Sequence, residues 1–334
     1  MYRKLAVLAC ACALILVPAV SAFAQEVVGN AVIRDTVTTG DTLVVNLSGV
    51  SPAAPGSHYE GWLRSADGSQ RLSLGTIGVE GDGSVNFTYT SPRSENLIGA
   101  NTVFEMSVEP DGDADPNPSG TVAYRGQLAD AMVPAVRELL FRWPSSRFGT
   151  PSGPGLVEDA LLLDATAAQL VEAANGGDLG GAKRLAERLV NTVEGQNGAN
   201  FGDHNGDGQA EGPGDGTGAL NFAWGTYWRA KVATAAVPDD TWVAAHAGHV
   251  SGSVEQQVVN RLAEIRDQGL QFQGVSDMAD AQQRAQSLRD AAARTLNGFD
   301  ANGDGVVDPT AGEGGAIQIL EHGQLMSAFR VAPV

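Results

Sequence analysis

The 334-residue chain predicts a two-part α+β molecule: an N-terminal antiparallel β-sandwich followed by an all-α helical bundle with two calcium-type loops. Three observations predict it. Up to residue 126, short runs of β-branched and aromatic residues alternate with Gly, Pro and Asp clusters. From Gln127 onward Ala, Leu, Glu, Gln and Arg dominate, which favours helix. Two stretches with the same Asp/Asn/Gly spelling then interrupt the helical half.

Residues 1–24 read as a secretory signal. Arg3 and Lys4 supply a positive start, residues 5–20 an apolar stretch broken at Pro18, and Ala22-Phe23-Ala24 a small-x-small cleavage site. The mature chain is then expected to start at Gln25. Cys10 and Cys12 are the only cysteines and would leave with the signal, so no disulfide can staple the exported protein. An apolar run this short suits a signal better than a spanning helix, and no later stretch is long enough to span. The chain is therefore expected outside the cytoplasm: periplasmic, cell-surface or extracellular.

The sandwich is expected over 25–126, with strands at 41–47, 58–64, 71–77, 84–90, 103–109 and 121–124. Asp82-Gly83, leading into Ser84-Val85-Asn86-Phe87, is the clearest hairpin signal. The helical domain is expected over 127–334. Its helices are predicted at 127–141, 156–174, 179–194, 217–236, 240–267, 277–296 and 314–329, with Gly176-Gly177, Gly195, Gly269 and Gly298 marking ends. Asp178 stands where the third helix needs an N-cap, and Asp239 or Asp240 where the fifth does.

Formal net charge is −18. Removing Arg3 and Lys4 with a signal that holds no acid gives −18 − 2 = −20. That balance excludes nucleic acid and anionic membrane as natural partners, since both select basic surfaces, and it suits cations.

The loops run Asp203-His204-Asn205-Gly206-Asp207-Gly208-Gln209-Ala210-Glu211 and Asp300-Ala301-Asn302-Gly303-Asp304-Gly305-Val306-Val307-Asp308. Every position in one lies 97 residues from its counterpart (300 − 203). Calcium takes about six to eight oxygens from carboxylates, carbonyls and water. Asp203, Asn205 and Asp207, like Asp300, Asn302 and Asp304, occupy positions 1, 3 and 5, which converge when a loop curls tightly. Gly208 and Gly305 permit the turn; Gln209 and Val306 offer carbonyls; Glu211 and Asp308 stand at position 9. Position 12, where an EF-hand carries a bidentate Glu, holds Gly214 and Ala311 instead. Asp215 and Glu313 follow closely and are expected to replace the missing ligand. Two Ca2+ sites are thus expected, one in each loop.

His246 and His249 stand three apart on a predicted helix and share a face, and His322 lies on the last helix. These three are a second candidate site, for a transition metal or haem in a bundle. No nucleophile elbow, P-loop, dinucleotide fingerprint or zinc-hydrolase motif occurs, so the chain reads as a binding or structural protein, not an enzyme.

Tyr59-Glu60-Gly61-Trp62-Leu63, Gly75-Thr76, Gly83-Ser84-Val85-Asn86-Phe87 and Phe104-Glu105-Met106-Ser107-Val108-Glu109-Pro110-Asp111-Gly112, with Pro116-Asn117-Pro118-Ser119-Gly120 behind them, resemble the extracytoplasmic domain of anti-sigma-K factors. The resemblance implies a small β-sandwich beyond the membrane and a regulatory envelope setting. The family's sigma-binding region and membrane helix have no counterpart ahead of these motifs, so the resemblance carries a fold and not sigma-factor inhibition. The helical half resembles uncharacterised bacterial helical domains with histidine-rich helices and NGDG loops; Leu185 and Arg188 stand where that pattern places histidines.

Overall fold

The computed structural model describes residues 26–34, 40–113, 115–212, 216–308 and 313–334. The proposed signal, both cysteines and Asp215 lie outside the described residues. Strands β1 (Gly29–Arg34), β2 (Thr42–Leu47), β3 (Ser57–Arg64), β4 (Arg71–Ile77), β5 (Val85–Thr90), β6 (Val103–Pro110) and β7 (Val122–Gln127) come first. Helices α1 (Val133–Leu140), α2 (Ser152–Asn175), α3 (Leu179–Glu194), α4 (Ala219–Ala236), α5 (Thr241–Ser253), α6 (Val259–Phe272), α7 (Met278–Asn297) and α8 (Ala316–Met326) follow, and strand β8 (Phe329–Pro333) ends the chain.

The strands form one antiparallel sheet in the order β4-β3-β6-β7-β8-β1-β2-β5. It curls until its two edges, β4 and β5, approach each other, so it is both sandwich and near-barrel. Alternation drives it. Leu43, Val45 and Leu47 of β2 point inward, with Leu63, Phe104 and Met106 in the same core. That core continues without a break through Leu139, Leu156, Leu163 and Phe222 into the helices.

Four expectations change. The Asp82-Gly83 turn forms, with Gly83 at φ +80° and Asp82 accepting from the Ser84 N–H, but its flanking strands do not pair. β4 pairs with β3 and β5 with β2, so the turn crosses between layers instead of closing a hairpin. The helix expected at 240–267 is a rod from Thr241 to Phe272 containing a π-turn, Val254–Val258, where the Val259 N–H reaches back to the Val254 carbonyl. The last helix stops at Met326 instead of residue 329. The freed residues form β8, which lies between β7 and β1, so the stretch assigned to the helical domain returns its final strand to the sheet. β1 was not expected either; it is β8 that gives it a second neighbour.

A candidate metal centre of three histidines

Asp240 caps α5, its carboxylate accepting from the Trp242 and Val243 N–H groups. One turn further on, His246 and His249 project from the same face toward α8. His322 answers from α8. Its Nδ1 lies 2.8 Å from Nδ1 of His246 and 3.2 Å from Nδ1 of His249. All three ligand atoms fall within 4.8 Å of one another, the one such cluster of three His, Cys, Asp or Glu side chains among the described residues. A tetrahedral ion with metal–nitrogen bonds of about 2.0–2.1 Å places its nitrogens roughly 3.3 Å apart. The cluster is therefore already near metal-binding dimensions.

Trp242 meets His246 edge-on with ring centroids 4.5 Å apart, and its Nε1 donates to the Leu325 carbonyl of α8 at 2.7 Å. The ring is thus fixed against both helices that carry the ligands. On the far side, Arg34 of β1 pairs with Glu321 at 3.2 Å. His249 is exposed and the other two are half-buried, which leaves a solvent-side approach for an ion.

Burial holds His322 down to about 4, with His249 and His246 adding to the effect. Burial also lowers His246, helped by His249. Both lowered groups, His246 and His322, therefore favour the neutral imidazole, the protonation state that donates a lone pair to a metal.

The twin loops share a second geometry. Asp203 accepts from the Gly206 and Gly208 N–H groups, and Asp300 from those of Gly303 and Gly305. Asn205 and Asp207 accept from the N–H two residues on, as do Asn302 and Asp304. Gly208 and Gly305 sit at φ +91° and +86°, where a side chain would be strained. Gln209 and Val306 follow at the loop rims, Val306 exposed. Glu211 is pushed up by burial, by Glu187 and by Asp207. Glu313, expected as a ligand, is 2% exposed and accepts from the Asn302 and Asp308 N–H groups.

Glu187 does the same work for the first loop and was not singled out from sequence. From inside α3 it accepts from the N–H groups of His204, Asn205 and Glu211. Asn191 binds the Gly202 N–H and the Gly202 and Glu211 carbonyls, while Glu194 accepts from Asn200. Glu187, Asn191 and Glu194 fall at i, i+4 and i+7, a polar stripe on a buried helix face; that spacing was the available signal. His204 is turned away to the Asn200 carbonyl, and His58 pairs with Asp111; neither joins a cluster. Trp143 packs inward on Phe222, whereas Trp224 and Trp228 are exposed on α4.

Residues 5–122 match the family model of the anti-sigma-K factor rskA C-terminal region. The rskA-type match covers about a third of the chain and stops as β7 begins, so β7, β8 and all the helices lie beyond it. No curated protein and no solved structure matches the chain. No helix among the described residues is long and apolar enough to cross a membrane.

Proposed function

We propose that this chain is an exported regulatory module of the bacterial envelope, related to anti-sigma factors through its sheet, whose helical body binds a first-row transition-metal ion at His246, His249 and His322. The convergence of three imidazoles, each offering a ligand nitrogen within 4.8 Å of the others, carries the metal reading. Imidazole suits Zn2+, Cu2+ and Ni2+ far better than the oxygen-seeking Ca2+ or Mg2+. Three protein ligands with one open side leave a fourth position for water or an exchangeable ligand. Nitrogens this close to one another leave no face between them for a macrocycle, which favours a bare ion over haem.

Equilibrium dialysis of the purified protein against Zn2+ or Cu2+, read by elemental analysis, tests this. One equivalent is expected. His322→Ala should weaken binding by at least about 100-fold, the upper end of what losing even an outer-shell partner costs. Absence of stoichiometric metal at micromolar Zn2+ and Cu2+ rejects the site.

The matched hydrogen-bond patterns of the two loops favour a second, structural ion. Both oxygens of Asp203 and Asp300 already accept N–H groups, yet a carboxylate has about four lone-pair sites and can share them with Ca2+. A cation would relieve the crowding of Glu187, Asp207 and Glu211. Calcium at 100 times its Kd should stabilise the fold by about 2.7 kcal/mol. Superimposable melting curves in calcium and in chelator reject this reading.

A further inference from the structure

We infer that metal on the three histidines governs how firmly the C-terminal strand β8 is seated in the sheet, so that the helical body reports metal to the rskA-type sheet; the inference rests on the transition-metal reading above. Only Ser327 and Ala328 separate α8 from β8. Their N–H groups turn back onto the Gln324 and Leu325 carbonyls, so the connection is a tight corner and not a slack linker. A shift of α8 is therefore passed directly to the strand.

The strand is built to feel it. β8 has five residues, and its register against β7 consists of two pairs, Tyr124↔Pro333 and Arg125↔Ala332. Against β1 it makes three: Gly29↔Val331, Asn30↔Arg330 and Ala31↔Phe329. These short ladders are nonetheless what joins β4-β3-β6-β7 to β1-β2-β5. The shortest ladders in the sheet thus occupy its central seam.

The histidine cluster stands at the corner where these elements meet. Trp242 ties α5 to the Leu325 carbonyl, the same carbonyl that accepts from Ala328 at the turn into β8. Arg330 of β8 faces the α5 cap Asp240 at 3.6 Å, and Arg34 of β1 pairs with Glu321, the residue before His322. Without an ion, the three imidazoles offer α5 and α8 two ring contacts between Nδ1 atoms. An ion replaces these with three coordinate bonds and locks α8, and hence β8, to α5. Coupling of this kind needs a two-state element that the ligand biases, and the seating of β8 is that element.

Hydrogen exchange on the full mature chain, with and without Zn2+ and alongside calorimetric titration of the same sample, decides the matter. Saturating zinc should slow exchange of the β8 amides and their β1 partners at least tenfold and leave the α2 and α3 amides within twofold. His322→Ala should remove the zinc effect. If zinc binds while β8 exchange is unchanged, or while every element slows alike, the coupling is wrong and the metal site stands. If zinc does not bind, the metal reading and the coupling fall together.

Discussion

Glu187→Ala is expected to cost about 3–5 kcal/mol and to release the first loop, because it strips three backbone donors of their acceptor. The carboxylate is 0% exposed and accepts three backbone N–H groups, from His204 at 2.7 Å, Asn205 at 2.9 Å and Glu211 at 3.0 Å. Removing it leaves three donors in a partly buried site, each costing roughly 1–3 kcal/mol when unsatisfied. Part of that is recovered because the neighbouring loop is open to water, which holds the sum near the lower end. Glu187→Gln keeps one acceptor oxygen and should fall between the two proteins. Urea midpoints give the energies, and exchange at residues 203–211 shows where the structure loosens. A Glu187→Ala midpoint within about 1 kcal/mol of the parent removes Glu187 as the organiser of the loop.

That prediction also marks where sequence pattern runs out. Helices α2, α3 and α7 were legible because helix-favouring composition and terminal glycines agree, with Asp178 capping α3; α4 was legible from composition. Strands β2 to β7 were legible from alternation and turn residues. β1 and β8 were not: β8 is short and both its partners are distant in the chain, and β1, though it pairs with nearby β2, takes its second neighbour from β8, about 300 residues away. Nothing local says that residues after a helix end will cross back into a sheet. Asp82-Gly83 misled for a related reason: a turn dipeptide specifies the turn and not which strands pair on either side.

The candidate sites divide along the same line. Spacing identified His246 and His249 as sharing a helix face, and it gave His322 as a companion without fixing the distance. Only the packing of α5 on α8 brings the third nitrogen to 2.8 Å. Spacing likewise marked the loop residues, yet it treated Glu313, two places beyond position 12, as a ligand. In the fold Glu313 lies beneath its loop as Glu187 lies beneath the first, one following its loop in sequence and the other preceding it. Repeats of a motif are visible in sequence; equivalent supports drawn from different places in the chain are not.

Phe329→Ala is expected to destabilise the protein by about 3–5 kcal/mol, the range for emptying a buried phenylalanine site. Phe329 is 0% exposed at the start of β8 and pairs with Ala31 of β1. Its neighbour on β7 is Gly126, where an added Cβ would come within 2.9 Å of the Phe329 Cβ, so the two strands meet with no side chain between them. The cavity cannot close without moving β8, and moving β8 draws on the corner that leads to α8. Linkage then gives a second readout. If seated β8 and bound metal favour one another, a change that unseats the strand must weaken metal binding by the same factor that metal strengthens the strand. Phe329→Ala should therefore bind Zn2+ more weakly although no ligand is touched. Leu163→Ala, equally buried but within α2, is the matched control and should lose stability with zinc affinity unchanged. Equal zinc affinity in the parent and in Phe329→Ala, measured where both are folded, would separate the histidine centre from the sheet.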